Sequence, residues 1–216
     1  MMTIAAANLS KTMKPYRTSP RAATRTASLL LRASLLLLAL GGNASSAADR
    51  YQIDSEHTYT YFEYSHWGLS MQRSRFDITT GTIELDRDSQ SGSIEIDIDA
   101  ASISTGSDSF NQIMRSGDFF DSANYPKISF KSSALHFEGP LLTQVDGDLT
   151  IKGISHPVTL QISNFSCRFM LIYGKQACGA NGSANILRSD YKLGRYAPFV
   201  SDAVTLHISV EAIKEY

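Results

Sequence analysis

Three pieces of one stretch decide the fold: SISTG at residues 102–106, SGDFFDSANYPKISFKSS at 116–133 and VDGDLTIKGISHPVTL at 145–160. The first piece is typical of a strand end. The second follows a short polar helix and closes it with an aromatic plug of two phenylalanines. The third alternates apolar and polar residues on both sides of a glycine turn, which is the pattern of two half-buried strands.

The same period-two alternation continues through the rest of the chain after residue 50 and predicts about eight strands. The segment 94–99 is the clearest case, because isoleucine alternates there with acidic residues. One strand is expected to begin with Phe76 and Ile78 and to run to Leu85, and one short helix is expected within 107–116. Antiparallel strands joined by short turns indicate a sandwich or a barrel. Alternation alone does not distinguish a solid sandwich from a hollow barrel.

The first 48 residues have the order of a secretory signal peptide: a basic region, the apolar run Leu29–Leu40 and then small residues. Cleavage is predicted near Ala47 or Ala48, with translation starting at Met1, Met2 or Met13, and a retained N-terminal anchor is the alternative. The remaining segment, 49–216, is long enough for one domain. We therefore expect an exported, periplasmic protein.

Charge excludes one class of partner. The leader carries 6 of the 20 Lys and Arg and none of the 21 Asp and Glu, so 14 basic and 21 acidic residues remain, a net charge of −7. Binding to nucleic acid needs clustered Lys and Arg that displace phosphate counterions, so it is not expected. Electrostatic docking to anionic lipid is also disfavoured.

No catalytic or metal-binding motif is found. The five histidines lack zinc-ligand spacing, there is no G-x-S-x-G elbow, and the acidic residues alternate along strands as on a solvated sheet face. The glycine-rich segment 179–182 is interpreted as a turn. His66 is in phase with Phe62 and Tyr64, so it is expected to point inward, either as a buried core histidine or as a polar contact in a pocket.

Two further features concern stability and the cavity. Cys167 and Cys178 form a close pair, which in an exported protein predicts a disulfide, with two free buried thiols as the alternative. Phe119 and Phe120 follow the short helix, where adjacent aromatic residues either seal one end of a core or contact a ligand directly.

At these residues the sequence resembles the YceI-like family of exported, lipocalin-like polyisoprenoid-binding proteins, from about Tyr51 to the C-terminus. The resemblance rests on an ordered set of short motifs: Ile53-Asp54, His57, Phe62, His66-Trp67-Gly68, 102–106, Asp118–Asp121, Tyr125-Pro126, 128–132, 147–153, Cys178-Gly179, Arg188–Tyr191 and the strand from Val204. Three positions depart from the family pattern: Ser74 stands where glycine is usual, Asn111–Met114 replace an Arg-Asp pair with leucine, and Tyr191-Lys192 replace Phe-Gly.

The resemblance implies an all-β fold, an eight-stranded antiparallel lipocalin-like barrel with one short helix, around a cavity for an isoprenoid chain such as a quinone tail or a polyprenyl phosphate. It implies a binding or carrier protein, not an enzyme, that needs no cofactor other than its bound lipid. An enzyme acting on the lipid, with His66 or a tyrosine as acid or base, and an acidic module partnering a membrane redox protein are the alternatives. Transient membrane contact and a homodimer are further partner hypotheses. The predicted cavity-lining residues are Phe62, Tyr64, His66, Ile96, Ile98, Phe119, Phe120, Phe130, Leu149, Leu160, Leu206 and Ile208.

Overall fold

The computed structural model describes residues 48–216, in which eleven strand segments and the α-helix α1 (Asp108–Arg115) are found. The predicted leader lies outside the described residues, apart from Ala48. The strands are β1 (Asp49–Ile53), β2 (Tyr59–His66), β3 (Ser70–Phe76), β4 (Thr79–Asp86), β5 (Ser91–Asp99), β6 (Ile103–Ser104), β7 (Lys127–Glu138), β8 (Leu141–Ile151), β9 (Ile154–Met170), β10 (Lys175–Leu187) and β11 (Ala203–Lys214).

The sheet closes into a barrel because β1 pairs antiparallel with both β4 and β11. Eight strands complete the ring in the order β1, β4, β5, β7, β8, β9, β10, β11. The other three segments extend its wall: β2 pairs with Thr205–Ser209 of β11, and β3 joins β2 to β6. The prediction of an eight-stranded antiparallel barrel with one short helix is confirmed, and the solid-sandwich alternative is wrong.

Two hairpins depend on residues in the left-handed region. Lys152 and Gly153, at φ 52° and 72°, join β8 to β9, and Trp67 and Gly68, at 56° and 65°, join β2 to β3. Two consecutive residues with positive φ form the primed turn whose twist matches that of antiparallel strands. The glycine turn of the GDLTIKG segment therefore sets the β8–β9 register, in which Ile151 lies opposite Ile154.

The strand predicted from Phe76 through Ile78 to Leu85 is interrupted. Ile78 is exposed and lies between β3 and β4, so it does not continue the inward face of Phe76. The backbone N–H groups of Asp77 and Ile78 donate instead to the carbonyl and hydroxyl oxygens of Ser102, both at 3.1 Å. Hydrogen bonds to the turn before β6 thus replace the strand ladder at this point.

The helix α1 lies where the sequence predicts it. Ser107 caps its N-terminus, with its hydroxyl oxygen accepting a hydrogen bond from the Phe110 N–H. Met114 is buried against the barrel, and the Phe120 N–H donates to the Met114 carbonyl at 3.0 Å. The chain therefore turns directly from the helix into the aromatic plug. Among residues 48–216, no helix is both long and apolar enough to cross a membrane.

A disulfide links Cys167 and Cys178, which lie directly opposite each other on β9 and β10. The bond closes a loop with a sequence separation of 11 residues and ties together the two longest neighbouring strands near their hairpin. The predicted disulfide is therefore confirmed, and the alternative of two free thiols is wrong.

Candidate functional site: a two-chambered apolar cavity

The barrel encloses two adjoining chambers. The first has about 1170 Å³ of space free of protein atoms, including its opening, and the second has about 1220 Å³. Four residues line both chambers, and we call them the waist: Thr60, Ile98, Leu149 and Leu206. The two chambers therefore adjoin inside the barrel, with these four side chains between them.

All twelve residues predicted to line the cavity are found in its walls. Their role in ligand binding stays a prediction. The first chamber contains Ile96, Phe130, Leu160 and Ile208; the second contains Phe62, Tyr64, His66, Phe119 and Phe120; and the waist contains Ile98, Leu149 and Leu206.

The first chamber is hollow because one wall carries small side chains. The segment 179–182, expected to be a turn, is instead part of β10, where it pairs with both β9 and β11. Gly179, Ala180 and Gly182 line the chamber, and Ala184 follows on the same strand. Interior positions of a small barrel are usually filled by side chains. Glycine and alanine here leave that space open, so a run of small residues within a strand was the sequence signal for a cavity.

Hydrocarbon dominates the walls of the first chamber. Ile94, Leu135, Val145 and Phe165 are among its other lining residues. Tyr51 is buried at this end, and its hydroxyl donates to the Gln176 side-chain oxygen at 2.7 Å. Burial raises the pKa of Tyr51, so the phenol remains neutral. This chamber is suited to an uncharged apolar chain.

Polar groups are concentrated in the second chamber, where Arg188 is the most unusual. Its side chain is only 8% exposed. The guanidinium donates to the carbonyls of Val200 at 2.7 Å, Ser201 and Arg195 at 2.8 Å, and also to that of Leu193. Burial lowers the pKa of Arg188. These neutral acceptors hold the 193–201 segment in place but do not cancel the positive charge beside the cavity.

Tyr64 and His66 are the other polar groups that β2 contributes to this chamber. Tyr64 is buried and stacks on Phe62 with 6.1 Å between ring centroids, and burial raises the pKa of its phenol. His66 is exposed at the end of β2, on the rim of the chamber. The expectation of a buried core histidine is therefore wrong, because the strand reaches solvent before this position.

The aromatic plug both seals and lines the second chamber. Phe120 is buried, with its ring edge-on to Phe76 at 5.2 Å and to Phe62 at 6.1 Å. Phe119 is half-buried and lies 6.5 Å from the ring of Tyr196. The two roles considered for these phenylalanines are therefore compatible.

The histidine–carboxylate pairs of the barrel lie outside both chambers. His57 contacts Asp54, His136 contacts Asp146 and His207 contacts Glu63, and none of these residues lines the cavity. Within the part of the chain that the structure describes, no group of three or more His, Cys, Asp or Glu side chains could hold a metal ion. The cavity walls thus offer shape and hydrophobicity, with polar groups at one end.

Comparison with known proteins agrees with this architecture. The family model described as the YceI-like domain matches residues 51–212. The chain belongs to the YceI-like family. A UPF0312 protein of Pseudomonas savastanoi pv. phaseolicola is 31% identical over 193 residues, covering 86% of this chain and 100% of the relative. Protein YceI of Escherichia coli O6:H1 is 29% identical, covering 86% of this chain and 97% of the relative.

Solved structures share the fold of this YceI-like chain. BcnA of Burkholderia cenocepacia superposes with a TM-score of 0.62 at 22% identity, covering 74% of this chain and 98% of BcnA. A polyisoprenoid binding domain from Saccharophagus degradans, implicated in plant cell wall breakdown, superposes with a TM-score of 0.59 at 19% identity, covering 79% of this chain and 100% of that domain.

Proposed function

We propose that this protein binds and carries a long isoprenoid lipid, of the quinone or polyprenyl phosphate type, in the cavity of its barrel. The observation that carries the proposal is the pair of largely apolar chambers that adjoin at the waist inside the barrel. An isoprenoid tail is an extended hydrocarbon, and its burial contributes roughly 25 cal/mol per Å² of apolar surface removed from water. An eight-stranded barrel is wide enough for one such ligand.

The polar groups of the second chamber determine the orientation in which the ligand binds. The tail fits the first chamber, whose walls are almost entirely hydrocarbon. The head group fits the second, where Tyr64, His66 and Arg188 lie. A phosphate or a quinone carbonyl oxygen would be stabilised near the buried charge of Arg188, because a cation buried in a region of low dielectric acts strongly on nearby acceptors.

The comparisons support the choice of ligand class. The Saccharophagus degradans domain with this fold is named for polyisoprenoid binding, and we extend that property to this chain as a proposal. We place the carrier in the periplasm, because the N-terminal 48 residues have the pattern of an export signal. The disulfide fits an oxidising compartment.

Lipid extraction and mass spectrometry of the protein purified from the cell test the proposal. The wild type is expected to yield about one isoprenoid lipid per chain. The double variant Ile98→Phe/Leu206→Phe places two larger side chains in the waist and should lose most of this lipid. Leu141→Phe is the matched control, because Leu141 is exposed and lines neither chamber.

Recovery of no isoprenoid from the folded wild type, or equal recovery from the wild type and the waist variant, would overturn the proposal. Circular dichroism establishes that each variant is folded before its lipid content is compared.

A further inference from the structure

An exposed apolar cluster stands at the mouth of the second chamber. It consists of Trp67, Leu69 and Phe199, which are 55%, 85% and 59% exposed, and we call it the docking tip. The rings of Trp67 and Phe199 stack at 4.7 Å, and the Trp67 N–H donates to the Phe199 carbonyl at 2.7 Å. These two contacts fix the β2–β3 hairpin to the 193–201 segment. The side chains of the cluster are therefore held in one arrangement.

Two aromatic residues at this mouth, Trp67 and Tyr196, have an unfavourable backbone conformation. Trp67 has φ 56° and the neighbouring Tyr196, also exposed, has φ 66°. A bulky residue in the left-handed region is a genuine outlier, whereas Asn or Gly would adopt the same turn without strain. Strain of this kind persists where the surrounding structure maintains it for a function.

The docking tip is continuous with the cavity. His66 precedes Trp67, Tyr196 lies three residues before Phe199, and both His66 and Tyr196 line the second chamber. An apolar ligand leaving this mouth would therefore meet further apolar surface before it met water. Trp and Tyr suit the boundary between hydrocarbon and water, because their rings have an apolar body and a polar edge.

The end of the barrel that carries the docking tip is also less acidic than the rest of residues 49–216. The mouth-forming segments 66–76 and 188–201 carry five basic residues and one acidic residue. Arg73, Arg75 and Arg195 contact Glu63, Asp77 and Asp118, and the Asp202 carboxylate accepts hydrogen bonds from Ser189, so with these four carboxylates the region has no net charge. The rest of 49–216 then has nine basic and 16 acidic residues, a net charge of −7. An anionic surface would therefore repel the mouth of the second chamber less than the rest of the barrel.

A second exposed apolar site provides a matched comparison. Leu171 and Ile172 lie at the tip of the β9–β10 hairpin. This tip precedes the Ala177 end of β10, which pairs with Ile213, whereas the docking tip lies near the other end, where Leu187 pairs with Ala203. The two sites are therefore at opposite ends of the barrel, and Leu171 and Ile172 line neither chamber.

We propose that the docking tip inserts into the interfacial region of a phospholipid bilayer and presents the mouth of the second chamber to it. The use of this contact for lipid transfer rests on the proposed function, but the docking itself requires no cargo. Membrane association of this type grows with the apolar area buried at the interface.

Flotation with vesicles of phosphatidylcholine and phosphatidylglycerol tests the docking, using protein purified after expression of the full-length chain. Trp67→Asn/Leu69→Ser should weaken vesicle binding about tenfold or more, since two large apolar contacts are lost. Leu171→Ser/Ile172→Ser should bind like the wild type. Asparagine readily adopts the left-handed conformation of position 67, so the test variant is expected to fold. Thermal unfolding, monitored by circular dichroism, verifies this. Phe199→Ser keeps the sequence of the hairpin and the backbone hydrogen bond from the Trp67 N–H, and it should reproduce the defect.

Trp67 is the only tryptophan of the chain, so it also reports the contact directly. Its fluorescence should shift to the blue on vesicle addition and be quenched by brominated acyl chains. Absence of both flotation and blue shift in the wild type would overturn the docking, as would unchanged binding of the tip variant or equal loss in Leu171→Ser/Ile172→Ser. Lipid extraction separates the two proposals: bound isoprenoid without vesicle binding defeats the docking alone, and vesicle binding without isoprenoid defeats the carrier function alone.

Discussion

Phe130 occupies space that only a glycine at position 147 leaves free. A Cβ on residue 147 would lie 2.5 Å from Cζ of the Phe130 ring and 2.5 Å from the Lys131 carbonyl oxygen. Gly147 lies opposite Ser132 on the neighbouring strand, two positions from the Phe130–Leu149 pair. The glycine of the GDLTIKG segment thus allows an aromatic ring to pack flat against β8 inside the first chamber.

Gly147→Ala should destabilise the barrel, because the new methyl group must displace the Phe130 ring and the β7 backbone. We expect a loss of about 1–3 kcal/mol in the free energy of unfolding, the usual cost of overpacking. Urea denaturation measures it. Gly117→Ala is the control, since a Cβ there meets nothing within 4 Å. Equal stability of the two variants would contradict the packing described for Phe130.

Replacement of Arg188 should unfold the segment that bounds the second chamber. Arg188→Met leaves four carbonyls without their donor, and we expect a loss of about 3 kcal/mol or more in the free energy of unfolding. Arg188→Lys should rescue only part of it, because an ammonium lacks the planar fork that reaches all four acceptors. Urea denaturation provides the values, with exposed Arg87→Met as the control. A loss no larger in Arg188→Met than in this control would show that Arg188 does not hold the 193–201 segment in place.

The disulfide should contribute substantially to stability. Cys167→Ala/Cys178→Ala is expected to lower the free energy of unfolding by about 3 kcal/mol, the value for a loop of this length in the chain-entropy model. The wild type unfolded in the presence of reductant should behave like the variant, which separates the loss of the bond from the loss of the side chains. A difference below about 1 kcal/mol would show that the long β9–β10 hairpin is held by its ladder alone.

His57 should titrate above its ordinary pKa of 6.5. The hydrogen bond from its Nδ1 to the Asp54 carboxylate, at 2.9 Å, raises the pKa of His57. A raised folded-state pKa stabilises the protein below the unfolded pKa of about 6.5, and this contribution is lost as pH rises through the folded value. NMR titration measures the pKa. Asp54→Asn keeps an acceptor for the Glu56 N–H but removes the charge, so an unchanged pKa in that variant would exclude the assigned cause.

Alternation in the sequence was sufficient to find part of the cavity wall. Ile96 and Ile98 alternate with acidic residues, and a strand buried on one face must direct such apolar residues inward. Phe130, Leu149, Leu160 and Leu206 lie in the wall for the same reason. It works because each strand has one solvated face, so burial leaves a period of two in the sequence.

The features missed by alternation depend on tertiary contacts. Gly179, Ala180 and Gly182 resemble a turn in isolation, yet pairing on both sides keeps them in β10, where their small size leaves the cavity open. The hydrogen-bond partners of Arg188 could not be predicted from residue types, because they are backbone carbonyls. Ile78 continues the apolar period, but hydrogen bonds to Ser102 break the strand before it.

A crystal structure of the protein as it is purified from the cell would show what the cavity holds. We expect continuous electron density for one extended hydrocarbon chain that passes the waist between Ile98, Leu149 and Leu206, with its polar head on the Arg188 side. Side chains that close the waist, or chambers occupied only by water in a protein that copurifies with no lipid, would contradict it.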